Sequence, residues 1–255
     1  MTARAPVRLV VSAHGALSPV PWAALEIGDG IRLLERAVIT QTPVLTLLSG
    51  AAPAPVTGPA LIQLVAKRDD DDPYGVATDQ ERKAWKLSIG DGGLILLSSC
   101  DLDPGAEPVE LAGTFAEALA GDAGAWGFAH IATHGEGSGL GQTLQLPGEP
   151  VSAARAMTLR WPAALLMASC RVGRLVNPEH AEPLNFVMAA LTGGAECVVA
   201  CTDDVRDLAA GHIAADIVKL VRAHGMPLDA ALREVQLLWA GRNARFWAVF
   251  AAYIR

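Results

Sequence analysis

The sequence lacks the features that mark several classes of protein. It has 20 lysines and arginines against 27 aspartates and glutamates, and its formal net charge of −7 argues against a nucleic-acid partner or an anionic membrane surface. No apolar run approaches the roughly 18 residues of a membrane span, and the first residues lack the apolar core of a signal peptide. We therefore predict a cytoplasmic protein with neither a nucleic-acid partner nor a membrane.

Cysteine is scarce, and its spacing excludes the common metal sites. The four cysteines are Cys100, Cys170, Cys197 and Cys201, with no CxxC pair and no cysteine–histidine spacing of a zinc site. In a reducing compartment they are expected to be free thiols. Each is then either a small core residue or a nucleophile. The aspartates at 69–72 lack the spacing of a calcium loop, so we predict no metal.

Glycine-rich phosphate-binding motifs are missing as well. Neither GxGxxG nor a P-loop sequence follows any apolar run, which argues against a protein that binds a nucleotide or a flavin. We therefore predict no cofactor.

Short apolar runs alternate with amphipathic helical patterns along the 255 residues. Continuous apolar runs are typical of buried parallel strands, and helices between such strands indicate an α/β fold with a mostly parallel sheet flanked by helices on both faces. The predicted strands are 7–12, 44–48, 60–66, 93–98, 128–133, 164–169 and 196–201. The predicted helices are 78–87, 109–121, 183–194, 211–225 and 227–241.

A histidine and a cysteine directly follow two of these predicted strands. The stretch "FAHIATHG" (128–135) carries His134, and "ALLMASC" (164–170) ends on Cys170. The segment between them is long enough for a crossover, so we expect two parallel neighbouring strands. Functional groups of α/β sheets gather at the carboxyl ends of the strands. A polar cap and a small buried thiol are the alternative interpretations of the two residues.

The chemistry of a thiol peptidase needs this pair of residues. A free thiol with a pKa of about 8.5 is mostly protonated at neutral pH. A neighbouring imidazole takes the proton and later delivers it to the leaving amine. Gly135 allows close approach of a substrate, and its N–H and that of Cys170 are predicted to form an oxyanion hole. These residues predict a cysteine peptidase.

The same motifs resemble the CHAT family of caspase-like cysteine peptidases, and the resemblance covers about residues 8–255. It implies a caspase-like fold in which His134 is the base and Cys170 is the nucleophile. It also implies that residues 1–110 form a non-catalytic portion and residues 111–255 the catalytic portion.

The resemblance further implies an endopeptidase that cleaves a specific protein or peptide substrate, with an activating partner protein, in a bacterial stress or defence pathway. A catalytically silent CHAT-like module for protein interaction is the alternative. Two departures bear on the preferred substrate. Arg171 replaces the family's usual acidic or amide residue, and "TDDVRD" (202–207) lacks the family's Leu-Trp pair.

In caspase-like folds, the strand after the nucleophile's strand helps to line the substrate pocket. We therefore predict that Asp203, Asp204 or Asp207 binds a basic side chain of the substrate through a charge-assisted hydrogen bond. The alternative is that all three begin the next helix, where acidic residues favour the helix dipole. Two other histidines are expected to be structural: His130, which is deeper in its strand than His134, and His14, which is expected in a turn.

Overall fold

The structure is a computed structural model that describes residues 6–65, 76–85, 94–97, 108–121, 126–175, 184–242 and 246–255. Its strands, in chain order, are β1 (Val7–Val11), β2 (Ala37–Gln41), β3 (Ala60–Leu64), β4 (Leu94–Leu97), β5 (Val109–Leu111), β6 (Phe128–Ala132), β7 (Gly135–Glu136), β8 (Thr143–Leu144), β9 (Val151–Ser152), β10 (Ala164–Ala168), β11 (Cys197–Cys201) and β12 (Phe250–Ile254). Within the described residues, nine strands form one sheet in the order β1-β2-β12-β11-β10-β6-β3-β4-β5, and β7, β8 and β9 form a small second sheet.

Helices cover both faces of the large sheet, as the sequence predicts. They are α1 (Leu33–Arg36), α2 (Val76–Trp85), α3 (Phe115–Ala120), α4 (Ala153–Ala156), α5 (Phe186–Thr192), α6 (Asp207–His224) and α7 (Leu228–Gly241). On one face α2, α6 and α7 pack against the sheet. On the other face α3, α4 and α5 do so. Helix α6 ends where Gly225 adopts a φ of 57°, a left-handed conformation that suits glycine.

The central strands β3, β6, β10 and β11 run parallel to one another. Apart from β4, whose side chains are not described, they are the strands predicted from the longest apolar runs, and all their residues are buried. For these four strands the expectation of strands covered on both faces is confirmed. It does not hold for β1, which lies at the edge of the sheet and has no buried residue.

The C-terminal strand β12 reverses the direction of the sheet. It is antiparallel to β11 and parallel to β2, which is in turn parallel to β1. The carboxyl end of β1 therefore lies at the sheet edge opposite to the carboxyl ends of β6 and β10. His14 follows β1 at that opposite edge and precedes a 3-10 turn at Gly15–Leu17, which agrees with the predicted turn.

Two sequence-based predictions of secondary structure are wrong. Residues 44–48 are not a strand but contain a 3-10 turn at Leu45–Leu47, where the preceding Pro43 has no N–H to donate to a ladder. The predicted helix 109–121 begins only at Phe115, because the Thr114 hydroxyl accepts from the Glu117 N–H and the Glu117 carboxylate accepts from the Thr114 N–H. Its first residues form β5 instead.

The boundary predicted near residue 110 stays a prediction, and strands from either side of it, β3 and β6, pair within one sheet. Cys100 and the aspartates at 69–72 lie outside the described residues. Among the helices that are described, none combines the length and the apolar character needed to cross a membrane.

Candidate active site

The register of β6 and β10 leads directly to His134 and Cys170. These strands are adjacent and parallel, and Ala132 pairs with Ala168 at their carboxyl ends. Two residues further along each chain, His134 and Cys170 occupy corresponding positions. Both residues lie just beyond the last residue of their strands, and Cys170 packs against the same core cluster as Ala132 and Ala168. Their roles in catalysis stay a prediction.

Gly135 fixes how closely the two strand ends approach each other. A Cβ atom at this position would lie 2.6 Å from the carbonyl oxygen of Cys170 and 2.9 Å from Cγ1 of Val172. Real Cβ atoms do not approach backbone oxygens so closely, so only glycine fits here without a shift of the chain. The backbone after His134 is thus in direct contact with the backbone of Cys170.

The thiol of Cys170 is half-buried and has a defined partner. Its Sγ donates to the backbone carbonyl of Val205, with 3.6 Å between sulfur and oxygen. The side chain of His134 is exposed. Within the part of the chain that the structure describes, no hydrogen bond joins this imidazole to the thiol. Catalytic hydrogen bonds are often long before substrate binds, so this arrangement does not exclude the predicted pair.

The small sheet sets the direction of the Gly135 amide. The N–H of Gln145 donates to the carbonyl of His134 at 2.9 Å, so residues 134 and 145 form a hydrogen-bonded pair. The next pair, Gly135 and Leu144, is then of the non-hydrogen-bonded type. In such a pair the N–H points away from the partner strand. The Gly135 amide is therefore directed away from β8 and is not used in that ladder.

The turn after Cys170 is held by the neighbouring strands β11 and β12. The N–H of Gly173 donates to the carbonyl of Cys201 at 2.7 Å, and the hydroxyl of Tyr253 donates to the carbonyl of Gly173 at 2.5 Å. Burial raises the pKa of Tyr253 well above its ordinary value, so this phenol stays protonated and remains a donor. The backbone that carries the thiol is therefore fixed on the side of β11.

Gln142 joins the segment after His134 to the turn after Cys170, and sequence reasoning misses it. Its side-chain amide is buried, donates to the carbonyl of Arg171 at 3.0 Å, and accepts from the N–H of Phe186 at 3.0 Å. A glutamine in a glycine-rich loop has no pattern that distinguishes it from a solvated residue. Only the fold shows that it ties the two strand ends together.

His130 lies on the same strand as His134 but inside the core. Its Nδ1 accepts from Nε1 of Trp85 at 2.8 Å, and its Nε2 lies 3.1 Å from Oε1 of Glu81. An indole only donates, so Nδ1 carries no proton and Nε2 donates to the carboxylate. His130 is thus a neutral imidazole with both nitrogens used, as suits the structural role predicted for it.

The structure places the three candidate aspartates in different surroundings. Asp204 is exposed and forms an ion pair with Arg171. The hydrogen bond to Asp204, together with its charge, raises the pKa of the Arg171 guanidinium. Asp207 is buried in the first turn of α6, as the alternative interpretation expects of all three. Asp203 is exposed and lines a groove.

This groove has a volume of about 480 Å³ and lies beside the turn after Cys170. Its walls come from Pro19 and Pro21 ahead of β2, from Phe246 and Trp247 ahead of β12, and from Asp203 after β11. The carbonyl oxygen of Asp203 accepts from the N–H of Arg171 at 3.4 Å. The groove therefore begins beside the residue that follows the candidate nucleophile.

No group of three or more possible metal ligands occurs among the residues that the structure describes. A mostly parallel α/β sheet, with a cysteine and a histidine at the carboxyl ends of adjacent central strands, defines the class as α/β proteins of caspase-like architecture. The CHAT domain family model matches residues 1–254. The chain therefore belongs to the CHAT family, which is related to the caspase-like cysteine peptidases. A comparison with curated proteins found no match.

Proposed function

We propose that the protein is a cysteine endopeptidase in which His134 is the general base and Cys170 is the nucleophile. The observation that carries this proposal is the register of β6 and β10, which puts the two residues at corresponding positions of neighbouring strand ends. Family membership supports the reaction class. The protein substrate and a bacterial stress or defence pathway, in the cytoplasm, belong to the same proposal.

The proposed reaction uses only side chains and backbone of this chain. The imidazole of His134 accepts the thiol proton, and the thiolate forms a bond to the carbonyl carbon of the scissile peptide. The amides of Gly135 and Cys170 donate to the oxyanion of the tetrahedral intermediate. When the C–N bond breaks, the imidazolium returns the proton to the leaving amine. Water, deprotonated by the same imidazole, then hydrolyses the thioester and frees the thiol.

The groove beside Cys170 is proposed to receive the substrate side chain next to the cleaved bond. Its apolar walls suit the methylene stem of a long side chain, and Asp203 offers a carboxylate to a cationic end. One oxygen of this carboxylate accepts from the N–H of Asp204 at 2.9 Å, and Arg174 lines the same groove. Asp203 is therefore the best placed of the three aspartates to select lysine or arginine. Asp204 already has a cationic partner in Arg171.

Cleavage of a peptide library by the Cys170→Ala variant tests the reaction. We expect turnover to be abolished while the melting temperature stays within a few degrees, because alanine removes only a sulfur atom from a half-buried site. Equal turnover by the variant and the wild type would refute the assignment. If the wild type neither cleaves peptides nor reacts with a peptide-based alkylating probe, the result would instead support a catalytically silent module for protein interaction.

The Asp203→Asn variant tests the groove. We expect KM to rise by about tenfold or more for substrates with arginine or lysine at the cleavage position, because a charge-assisted hydrogen bond is lost. Substrates with apolar residues there should be unaffected. Glu196→Gln, which changes a carboxylate immediately before β11 at its opposite end, is the matched control. A wild-type profile that prefers acidic residues would reject this pocket.

A further inference from the structure

We propose that residues 203–205, here called the clasp segment, slow the reactions of the Cys170 thiol, and that the ion pair between Arg171 and Asp204 holds this segment in place. This regulation rests on the proposed function, because the thiol that it restrains is the nucleophile assigned there. The argument has three parts: what the segment does to the thiol, what holds the segment, and how readily it is released.

The clasp segment engages the thiol in its protonated form. The carbonyl of Val205 accepts from Sγ of Cys170, with 3.6 Å between the atoms. A carbonyl oxygen accepts a hydrogen bond from a thiol, but it has only lone pairs to present to a thiolate. The thiolate is the nucleophilic form. The contact with Val205 therefore competes directly with transfer of the thiol proton to His134.

Side-chain and backbone contacts connect the segment to the residue next to the nucleophile. The guanidinium of Arg171 pairs with the carboxylate of Asp204, and the N–H of Arg171 donates to the carbonyl of Asp203 at 3.4 Å. Arg171 also has a φ of 60°, a left-handed conformation that residues other than glycine rarely adopt. Such a conformation persists only where its surroundings hold it. Here the carbonyl of Arg171 accepts from Gln142 at 3.0 Å and from the N–H of Arg174 at 2.9 Å, while the pair with Asp204 holds the side chain.

The ion pair between Arg171 and Asp204 is weak enough to be separated. The side chains of Arg171 and Asp204 are 50% and 60% exposed. Exposed ion pairs add little stability and are screened by salt. A binding partner that offers a competing charge, or a high salt concentration, therefore separates the pair at little cost. This is the behaviour expected of a restraint that a binding partner releases.

Alkylation of Cys170 by iodoacetamide, measured by mass spectrometry near pH 7, tests the clasp. The reagent is neutral, so salt acts on the protein alone. At low ionic strength we expect Asp204→Asn and Arg171→Gln to be alkylated about fivefold faster than the wild type, as suits the loss of one exposed ion pair. The control Lys219→Gln breaks a surface pair with Asp216 on α6 and should leave the rate unchanged.

The salt dependence of the wild-type alkylation rate is a second measurement, and it does not depend on the folding of a variant. Raising sodium chloride from about 0.05 M to about 1 M shortens the screening length severalfold, so alkylation of the wild type should accelerate while Asp204→Asn, which has no pair to screen, should not. Lys219→Gln keeps the pair between Arg171 and Asp204, so it should accelerate like the wild type. A wild-type rate that is independent of salt, or an equal acceleration in Asp204→Asn, would overturn the clasp.

Peptide cleavage measured on the same samples separates the two proposals. Faster alkylation in the Asp204 and Arg171 variants without cleavage by any of them supports the clasp and overturns the peptidase. Cleavage that depends on Cys170, combined with an alkylation rate that neither variant changes, supports the peptidase and overturns the clasp.

Discussion

Two histidines four residues apart, one within β6 and one just beyond its end, have opposite surroundings. His130 is fully buried, and both of its ring nitrogens are engaged by Trp85 and Glu81. His134 is exposed at the strand end, and no hydrogen bond of its imidazole occurs among the described residues. A ring with both nitrogens engaged is unable to exchange protons with a substrate, whereas a ring at the sheet edge is able to. The position along the strand, rather than the residue type, separates a structural histidine from a candidate base.

The largest effect is expected for His134→Ala. Loss of a general base lowers the rate by about a hundredfold or more, so peptide cleavage should fall by that factor. The melting temperature should stay close to that of the wild type, because the imidazole is exposed and supports no packing. Steady-state kinetics and a thermal melt measure both properties. A stability loss without a rate loss would reverse the roles given to the two histidines.

His130→Ala should give the opposite result. The variant leaves the indole N–H of Trp85 and the carboxylate of Glu81 buried without their partner, which we expect to lower the free energy of unfolding by about 3 kcal/mol. Urea denaturation measures this loss. Any fall in cleavage should follow the folded fraction. If His130→Ala is as stable as His134→Ala, the buried network contributes nothing to the fold.

Gly135→Ala sharpens the comparison at the edge of the sheet. The added methyl would lie 2.6 Å from the carbonyl of Cys170, so the two strand ends must separate. A misplacement of this size should lower kcat/KM by about tenfold or more. Gly141→Ala is the matched control, since a methyl there meets no atom within 4 Å. Equal activity of both variants would show that the contact is unimportant.

The smallest effect is expected in a comparison of two cysteines, Cys170 and Cys197, which differ in burial as the two histidines do. Cys197 is buried at the start of β11, and burial raises its pKa well above the ordinary value. A raised pKa means less thiolate at every pH below it, so Cys197 should stay unmodified by iodoacetamide from pH 7 to pH 9. Cys170 should be labelled throughout this range. Peptide mapping checks the result, and labelling of native Cys197 would contradict the buried position.

The central sheet was predictable because each of its strands is a largely apolar run in the sequence. Continuous apolar runs predict β3, β6, β10 and β11, and the length of the segment between His134 and Cys170 predicts that β6 and β10 are neighbours. By contrast, β12 is not among the predicted strands, since nothing within Phe250–Ile254 indicates a partner strand. Its place between β2 and β11 depends on pairing across most of the chain.

The contacts around the site depend on residues that are distant in sequence. Glu81 and His130 are 49 residues apart, and Arg171 and Asp204 are 33 apart. None of these residues, taken alone, differs from an ordinary surface or core residue of its type. Sequence periodicity reports the face on which a side chain lies, but not which distant side chain meets it there.

The position of β12 has a consequence for the timing of biosynthesis. It is the last of the described strands to leave the ribosome, yet it lies in the interior of the sheet, next to β11. Tyr253 on this strand also anchors the turn that carries the thiol. Until β12 has been synthesised, β2 and β11 lack the strand that lies between them. A nascent chain therefore lacks the anchor that Tyr253 gives to the turn after Cys170, and this turn takes its final form only after synthesis has passed residue 254.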